Sequence, residues 1–427
     1  MERSIRNPKR DASSRQGKTG WYDYYAGFSP GFVADTLNYL DPHPKSIVLD
    51  PWNGSGTTTN VAQEAGFSVV GFDINPAMII LSKAKTLDPS VANSIGPLCD
   101  ELIEKADHFR MQHPVWSDPL TTWLVKDGAL YIRKLEWAIQ KLLVDNKGYR
   151  NGGIRTVNHI SSLASFFYIG LFRAVRLILA EFRSSNPTWI KQPKTEAEKV
   201  TIKKRHLHQL FVQNISEMAL SLSSSQYLKN GLDVRLEVAS SEAQPLDKQS
   251  IDIVISSPPY CTRIDYAMAT CIELAILGYT MEKLNEKMRI EMIGTPKIHR
   301  KTPEPTIEWG PTCLGFLKDV REHGSRASKT YYYKTYTQYF DSVFASMGEI
   351  DRVLKDNGKC VLVVQDSYYK DVHNDLPSIF VEMGHHYNWS VDSRFVFKGS
   401  SLVAINKRAS RHQQSKKRTE EVLIFTK

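Results

Sequence analysis

Apolar residues follow two different periods along the chain, and the switches between them divide it into parts. Pro30-Gly31 opens an amphipathic stretch through Leu40, and Asp41-Pro42-His43-Pro44 turns it. Ser46 to Leu49 is a short apolar run that predicts a strand. Thr57 to Ala65 has helical spacing and stops at Gly66, and Phe67 to Phe72 predicts a second strand. Strand, glycine turn, helix and strand in that order predict a parallel, doubly wound sheet. From about Leu87 to Gly231 the alternation stops. Amphipathic segments at Ala129 to Val144, Ile160 to Phe182 and Glu196 to Leu222 replace it, with a loop at Ser184-Ser185-Asn186-Pro187, and they predict an inserted helical region. Strand spacing resumes at Val234 to Val238 and at Ile251 to Ser256, and Ala267 to Leu277 predicts a helix. Residues 281–335 are basic, contain proline and show no period, so they read as a long loop or small subdomain. Tyr339 to Leu354 predicts a helix, Asp356-Asn357-Gly358 a turn, and Lys359 to Val364 and Glu421 to Thr426 the last strands.

Composition narrows the class. With 427 residues, 41% of them hydrophobic and 10% aromatic, the chain can bury a large core. The most apolar stretch, Ala164 to Phe182, is interrupted by Arg173, Arg176 and Glu181, which argues against a membrane span. The first twenty residues are polar and basic, read as a flexible arm, and lack the apolar centre of an export signal. Cys99, Cys261, Cys271, Cys313 and Cys360 are scattered and odd in number, with no Cys-x-x-Cys pair. This speaks against a disulfide framework or a structural zinc, and for a reduced, cytoplasmic setting. His206 and His208, and the adjacent His385 and His386, lack metal-ligand spacing, so no metal is expected. The net charge is +9, and Tyr131 to Asn230 alone holds 16 lysines and arginines against 6 acids. That imbalance points to phosphate contact, with Lys203, Lys204 and Arg205 as the densest cluster.

Two constellations carry chemistry. Asp50-Pro51-Trp52-Asn53-Gly54-Ser55-Gly56-Thr57-Thr58 leaves a strand and opens a helix. Its glycines permit a tight turn and close approach of a ligand to the backbone. No lysine follows the second glycine, which argues against a phosphate-cradling loop. A carboxylate at Asp50 suits a cationic ligand such as the ammonium of a methionine moiety. Asp73, in Gly71-Phe72-Asp73-Ile74-Asn75-Pro76, ends the second strand, where a carboxylate can take both hydroxyls of a ribose. The second constellation, Ser256-Ser257-Pro258-Pro259-Tyr260, ends the strand begun at Ile251. Two prolines remove two N–H donors. The Ser257 hydroxyl and a proline carbonyl remain as acceptors beside an aromatic ring, a set that suits a planar group bearing an NH₂. After it, Cys261-Thr262-Arg263-Ile264-Asp265-Tyr266 is unusually polar and aromatic, and Arg263 and Tyr266 are candidate contacts to phosphate or an extruded strand. No Pro-Cys pair occurs, which argues against methylation of cytosine C5 through a cysteine nucleophile.

These motifs together resemble the amino-methyltransferases of DNA, which make N4-methylcytosine or N6-methyladenine. The resemblance covers roughly residues 21–87 and 231–427. It includes Tyr24-Tyr25-Ala26-Gly27-Phe28-Ser29-Pro30, similar to the segment that packs over the methionine end of the cofactor, and Arg352 to Gly358 with the final strand. Where that family often has an acid after the third strand, this chain has Ala239-Ser240-Ser241-Glu242. The resemblance implies an α/β fold: the class I S-adenosylmethionine-dependent methyltransferase sheet, doubly wound and mostly parallel, with a helical insertion. It implies S-adenosylmethionine over Tyr25, Phe28, Ser29, Asp50 to Trp52, Gly54 to Thr58, Asp73 and Ile74. The target base would sit at Ser257, Pro258, Pro259 and Tyr260, extruded from double-stranded DNA.

The expected organisation is an arm over 1–20, a cofactor-binding half over 21–87, a basic helical insertion over 88–230 that contacts DNA, and a catalytic half over 231–427. Serine in the first position of Ser-Pro-Pro-Tyr favours cytosine N4 over adenine N6, since the adenine enzymes usually carry aspartate or asparagine there. An RNA base or a glutamine side chain is a rival substrate, and a silent nucleic-acid-binding subunit is a rival of another class. A restriction or defence-system partner fits the family, and no membrane partner is expected.

Overall fold

The structure, a computed structural model, describes residues 4–11, 13–24, 27–109, 118–144, 157–184, 189–225, 229, 231–261, 264–298, 301–398 and 419–427. Its strands are β1 (Ile47–Asp50), β2 (Ser68–Asp73), β3 (Val234–Val238), β4 (Ile251–Ser256), β5 (Leu354–Gln365), a separate hairpin of β6 (Ser367–Tyr369) and β7 (Val372–Asn374), then β8 (Ser390–Lys398) and β9 (Thr419–Thr426). Seven of them form one sheet in the order β3-β2-β1-β4-β5-β9-β8. β3, β2, β1, β4 and β5 run parallel, and β9 runs antiparallel to both β5 and β8. The chain moves outward from β1 to β2 and β3, then returns to β4 on the other side of β1. Such a reversal leaves a crevice at the carboxyl ends of the two central strands, where ligands bind in doubly wound sheets.

Side-chain alternation explains why these strands read as continuous apolar runs. Val48 of β1 and Val422 and Ile424 of β9 belong to the core on one face, while Leu49, Leu423 and Phe425 belong to the core on the other. A strand covered on both faces has no polar phase to show. Helices α1 (Pro30–Leu40) and α2 (Thr57–Glu64) supply Phe32, Val33 and Ala62 to the first core.

Between β2 and β3 the chain forms α3 (Pro76–Lys85), α4 (Ala92–His108), α5 (Lys126–Leu143), α6 (Ser162–Ile178) and α7 (Lys204–Ser223), which share a core rich in Phe166, Phe167, Phe172 and Phe211. α5 and α6 lie where the pattern predicts helices. α7 starts eight residues later than the predicted Glu196, because residues 196–198 make a separate 3₁₀ turn. α4 escapes pattern reading because Gly96 and Pro97 punctuate it, although Ile95, Cys99, Leu102 and Ala106 form its buried stripe.

After β4 come α8 (Tyr266–Ala269) and α9 (Cys271–Ile276), a split of the single helix expected over Ala267 to Leu277. The segment 281–335, expected as a long loop or small subdomain, is not irregular throughout. It holds α10 (Pro311–Glu322), opened by a proline in its first turn, with Cys313, Phe316, Leu317 and Val320 buried at helical spacing. α11 (Tyr333–Val353) and α12 (Leu376–His386) complete the second face of the sheet. The predicted turn at Asn357 survives inside β5 as a residue at φ 63, where the pairing with β4 changes register. β8 was not legible in the sequence, because it is an edge strand with mostly polar, exposed positions.

Described residues of the amino-terminal segment, 4–11 and 13–20, are packed, in contrast to the flexible arm expected over 1–20. Arg6 makes a two-pronged ion pair with Asp35, at 2.6 and 2.9 Å, and Ile5 is buried against α1. Lys9 pairs with Phe28 as an antiparallel bridge, buried Lys18 donates to the Leu87 carbonyl at 3.0 Å, and the Trp21 indole reaches Ser221 of α7 at 3.2 Å. Two side chains that pattern reading leaves out, Ile5 and Lys18, hold this segment in place.

Three arginines clamp the helices after β4. Arg133 of α5 donates to the carbonyls of Ala275 and Ile276, capping α9, and pairs with Asp118. Arg289 pairs with Asp265, the N-cap of α8. Arg176 of α6 meets Glu273, which is fully buried, at 2.5 and 2.9 Å and also donates to the Ala269 carbonyl. Removing one partner of a buried pair leaves an uncompensated charge. Arg176→Met should therefore lower unfolding free energy by about 3–5 kcal/mol, read as a lower urea midpoint, and adding Glu273→Met should restore most of it. A single variant with an unshifted midpoint would show that the clamp does not hold the layers together.

Candidate active site

The crevice at the carboxyl ends of β1, β2 and β4 opens into a cavity of about 1100 Å³. Its floor comes from the turn after β1. Gly54 and Gly56 take φ values of 48 and 78, which other residues adopt only with strain. A side-chain carbon at Gly56 would stand 2.5 Å from Cβ of Ser82, so α3 packs directly on the turn, and one at Gly54 would stand 3.2 Å from the Tyr24 ring. Beneath the turn, buried Lys85 donates to the Ser55 carbonyl at 2.6 Å, and burial brings its ammonium down to about 7.

Two carboxylates face this cavity from neighbouring strand ends. Asp50 accepts hydrogen bonds from the Ser256 hydroxyl at 2.5 Å and the Trp52 amide at 3.1 Å. Asp73 accepts from the amides of Gly54 at 2.9 Å and Asn75 at 2.8 Å. Burial pushes each carboxyl up to about 6. Among the described residues no cation pairs with either one, and the buried indole N–H of Trp52 has no partner. Buried carboxylates with no protein cation, beside a glycine turn open to close approach, suit a ligand that carries both an ammonium and hydroxyls. S-adenosylmethionine has those groups, and the donor set fits it.

Across the crevice, β4 delivers Ser257 to Tyr260 into the same cavity. The Ser257 hydroxyl donates to the Val363 carbonyl of β5 at 3.1 Å, so its proton is committed and it can only accept from anything else. The Pro259 carbonyl is taken by the Tyr339 hydroxyl at 2.9 Å. The Pro258 carbonyl has no donor among the described residues. The Tyr260 hydroxyl donates to Glu420 of β9 at 2.8 Å, and burial raises both groups above their ordinary values. Asn75 joins the two halves: it caps α3, and its side-chain amide donates to Thr270 at 2.8 Å.

Of the residues singled out in the sequence, Phe28, Asp50, Pro51, Trp52, Gly54, Ser55, Thr57, Asp73, Ile74, Tyr266 and all of Ser257 to Tyr260 line the cavity. Ser29, Gly56 and Thr58 do not. Ser29 caps α1, Gly56 underlies the turn, and the Thr58 hydroxyl donates to the Ile255 carbonyl, tying α2 to β4. After β3, Ser240 and Ser241 reach the cavity wall and Glu242 does not. Lys203, Lys204 and Arg205 are exposed at the start of α7 and are absent from that wall, and Lys204 pairs with Asp107 at 2.9 Å. Tyr25 and Arg263 lie outside the described residues. Tyr24, quoted in the sequence with the segment over the cofactor, lines the cavity too, whereas Glu420 and Lys85 carry no motif that singles them out. For Glu420 a signal existed: it is in phase with Val422 and Ile424, so an acid falls on a buried face of β9.

The strand order, with β9 reversed between β5 and β8, and the cavity at the β1/β4 crevice make this a class I S-adenosylmethionine-dependent methyltransferase fold. No model of a known protein family matches the chain. It is similar to the Type II methyltransferase M.BsoBI of Geobacillus stearothermophilus, with 22% identity over 303 residues. The match takes in 66% of this chain and spans 57% of the length of that relative. Among the described residues no helix is long and apolar enough to cross a membrane.

A carboxyl whose folded-state value lies above its unfolded one stabilises the fold while protonated, and that contribution is lost as the pH rises through the folded value. The unliganded protein should therefore lose stability between about pH 4, near the ordinary value of 3.8, and above about 6. Asp50→Asn keeps an acceptor oxygen and removes the ionisation. It should be more stable than the parent at pH 7.5 by about 1–3 kcal/mol and equal to it near pH 4, in urea titrations at both. A variant less stable at pH 7.5 would show that the carboxylate is compensated within the protein.

Proposed function

We propose that the chain is a DNA amino-methyltransferase that transfers a methyl group from S-adenosylmethionine to N4 of cytosine. The observation that carries this reading is the convergence of Asp50 to Ser55 and Ser257 to Tyr260 on one cavity. The similarity to a Type II methyltransferase supports DNA as the substrate.

In this reading Asp50 holds the methionine ammonium and Asp73 the ribose hydroxyls, with Trp52, Phe28 and Ser55 around them. Bound S-adenosylmethionine supplies an electrophilic methyl on its sulfonium. The protein's task is to present an amino nitrogen to it. The Ser257 oxygen, with its proton engaged by Val363, accepts one amino hydrogen, and the unoccupied Pro258 carbonyl accepts the other. Two accepted hydrogen bonds pull the amino lone pair out of conjugation with the ring and aim it along the line of attack. Tyr260 stacks on the extruded base. The nitrogen's surplus proton passes to solvent after transfer, and because the nitrogen attacks the methyl directly, no covalent enzyme intermediate is required.

The test of the reading is to incubate the protein with S-adenosylmethionine and plasmid DNA, digest to nucleosides and separate them by mass spectrometry. N4-methylcytosine is expected. N6-methyladenine alone refutes the base assignment while leaving the enzyme class, and unmodified DNA refutes the substrate. Ser257→Ala should keep cofactor binding in calorimetry and lose roughly tenfold or more in turnover.

Glu420 is a positioning residue in this scheme, since it fixes the ring of Tyr260 through the hydroxyl. Glu420→Ala and Tyr260→Phe should each lower turnover by roughly tenfold, the double variant should be no worse than either, and Glu420→Gln, which keeps an acceptor, should recover much of the loss. Additive losses would mean that Glu420 acts on the base or the DNA directly.

A further inference from the structure

The helical insertion supplies part of the cavity wall, and this part has a chemistry of its own. Two short arms, Phe182–Arg183 and Ile190–Lys191, are tied together. The Lys191 amide donates to the Phe182 carbonyl at 2.8 Å, and Arg183 pairs with Ile190 as an antiparallel bridge. Phe182 and Ile190 are buried in the insertion's core, and the Trp123 indole holds the Lys191 carbonyl at 2.9 Å. The arms are thus anchored, and they carry Arg183 and Trp189 onto the cavity wall beside Leu177 of α6.

Trp189 and Leu177 are 46% and 48% exposed, unusual for large apolar side chains next to a well-filled core. Nearby arginines are committed elsewhere: Arg173 to Glu217 at 2.7 Å, and Arg176 to Glu273. Arg183 has no side-chain partner among the described residues. An open indole and an unpaired guanidinium, held by anchored backbone on the wall of a cavity that contains an amino-group clamp, match a nucleic-acid strand. Base faces stack on the ring, and a phosphate takes the guanidinium. Lys203 to Arg205 stand off this wall and would reach phosphates only farther along a duplex.

We propose that Arg183, Trp189 and Leu177 form the contact for the DNA strand that carries the target base, with Trp189 stacked on a base beside the extruded nucleotide and Arg183 on a phosphate. The proposal rests on the reading of the chain as a DNA methyltransferase and moves its insertion contact from the start of α7 to the cavity wall.

The experiment uses the full chain and a fluorescently labelled 40-base-pair duplex of mixed sequence. Anisotropy is followed over a salt series, and calorimetry with S-adenosylmethionine is run on the same preparations. Trp189→Ala should weaken duplex binding on the order of tenfold, and Trp189→Phe should recover part of it, since a smaller ring still stacks. Arg183→Ala should reduce the log–log salt slope by about 0.9. Cofactor titrations should match the parent, which shows that the fold and the neighbouring site are intact. Parent-like duplex affinity and salt slope in both alanine variants would overturn the proposal while leaving the proposed function standing. Parent protein that binds the cofactor but no duplex overturns the proposed function, and this contact with it.

Discussion

Two carboxylates that pair with no cation among the described residues, at the carboxyl ends of adjacent parallel strands, set the terms for the rest of the molecule. Asp50 and Asp73 are held by two backbone amides beyond β2 and β1, one amide within the turn, and the Ser256 hydroxyl from β4. Each bond favours the ionised form, and burial opposes it, leaving both groups near 6. Buried acids held this way destabilise the fold once they ionise, because burial opposes the charge that the hydrogen bonds favour. The glycine turn, Lys85 beneath it and Asn75 beside it all hold the backbone that keeps these acids in place.

The Ser256–Asp50 hydrogen bond also crosses the point where the chain reverses its direction of winding. It couples the strand carrying the turn to the strand carrying Ser257 to Tyr260. On the far side, Val363 of β5 and Glu420 of β9 take hydrogen bonds from Ser257 and Tyr260. The geometry around Ser257 to Tyr260 is therefore supplied by four strands at once, β1, β4, β5 and β9. The insertion is attached to the same region by the guanidinium groups of Arg133 and Arg176, which reach carbonyls and a buried acid in α8 and α9. Movement of the insertion would be felt at the helices that follow Ser257 to Tyr260.

The motif residues could be found by eye because each carries a local physical demand: glycines where φ is positive, an acid at a strand end, two prolines that strip donors from a turn. Their convergence on one cavity was an inference from resemblance, and the structure supplies the register and strand order that bring them together. The places where pattern reading failed share one feature. α4 is interrupted by Gly96 and Pro97, α10 follows a stretch dense in proline, and β8 is an exposed edge with polar positions, so the periodic apolar signal is broken or diluted in each. The amino-terminal residues looked like a free arm because their charges are conspicuous, while the contacts that anchor them, Arg6 to Asp35 and Lys18 to Leu87, lie far apart in sequence.

The sequence by itself determined the doubly wound class, the two motifs with their order along the chain, and the basic excess of the insertion, because these depend on residue type and short-range spacing. The tertiary structure alone decided which of those residues share a cavity, that Ser257 is committed as a donor to Val363 and so accepts from others, that Glu420 meets Tyr260, and that Arg183 and Trp189 rather than Lys203 to Arg205 border the site. Each of these depends on contacts between residues that are distant along the chain, where hydrogen-bond geometry and burial are set by packing and leave no mark on local composition.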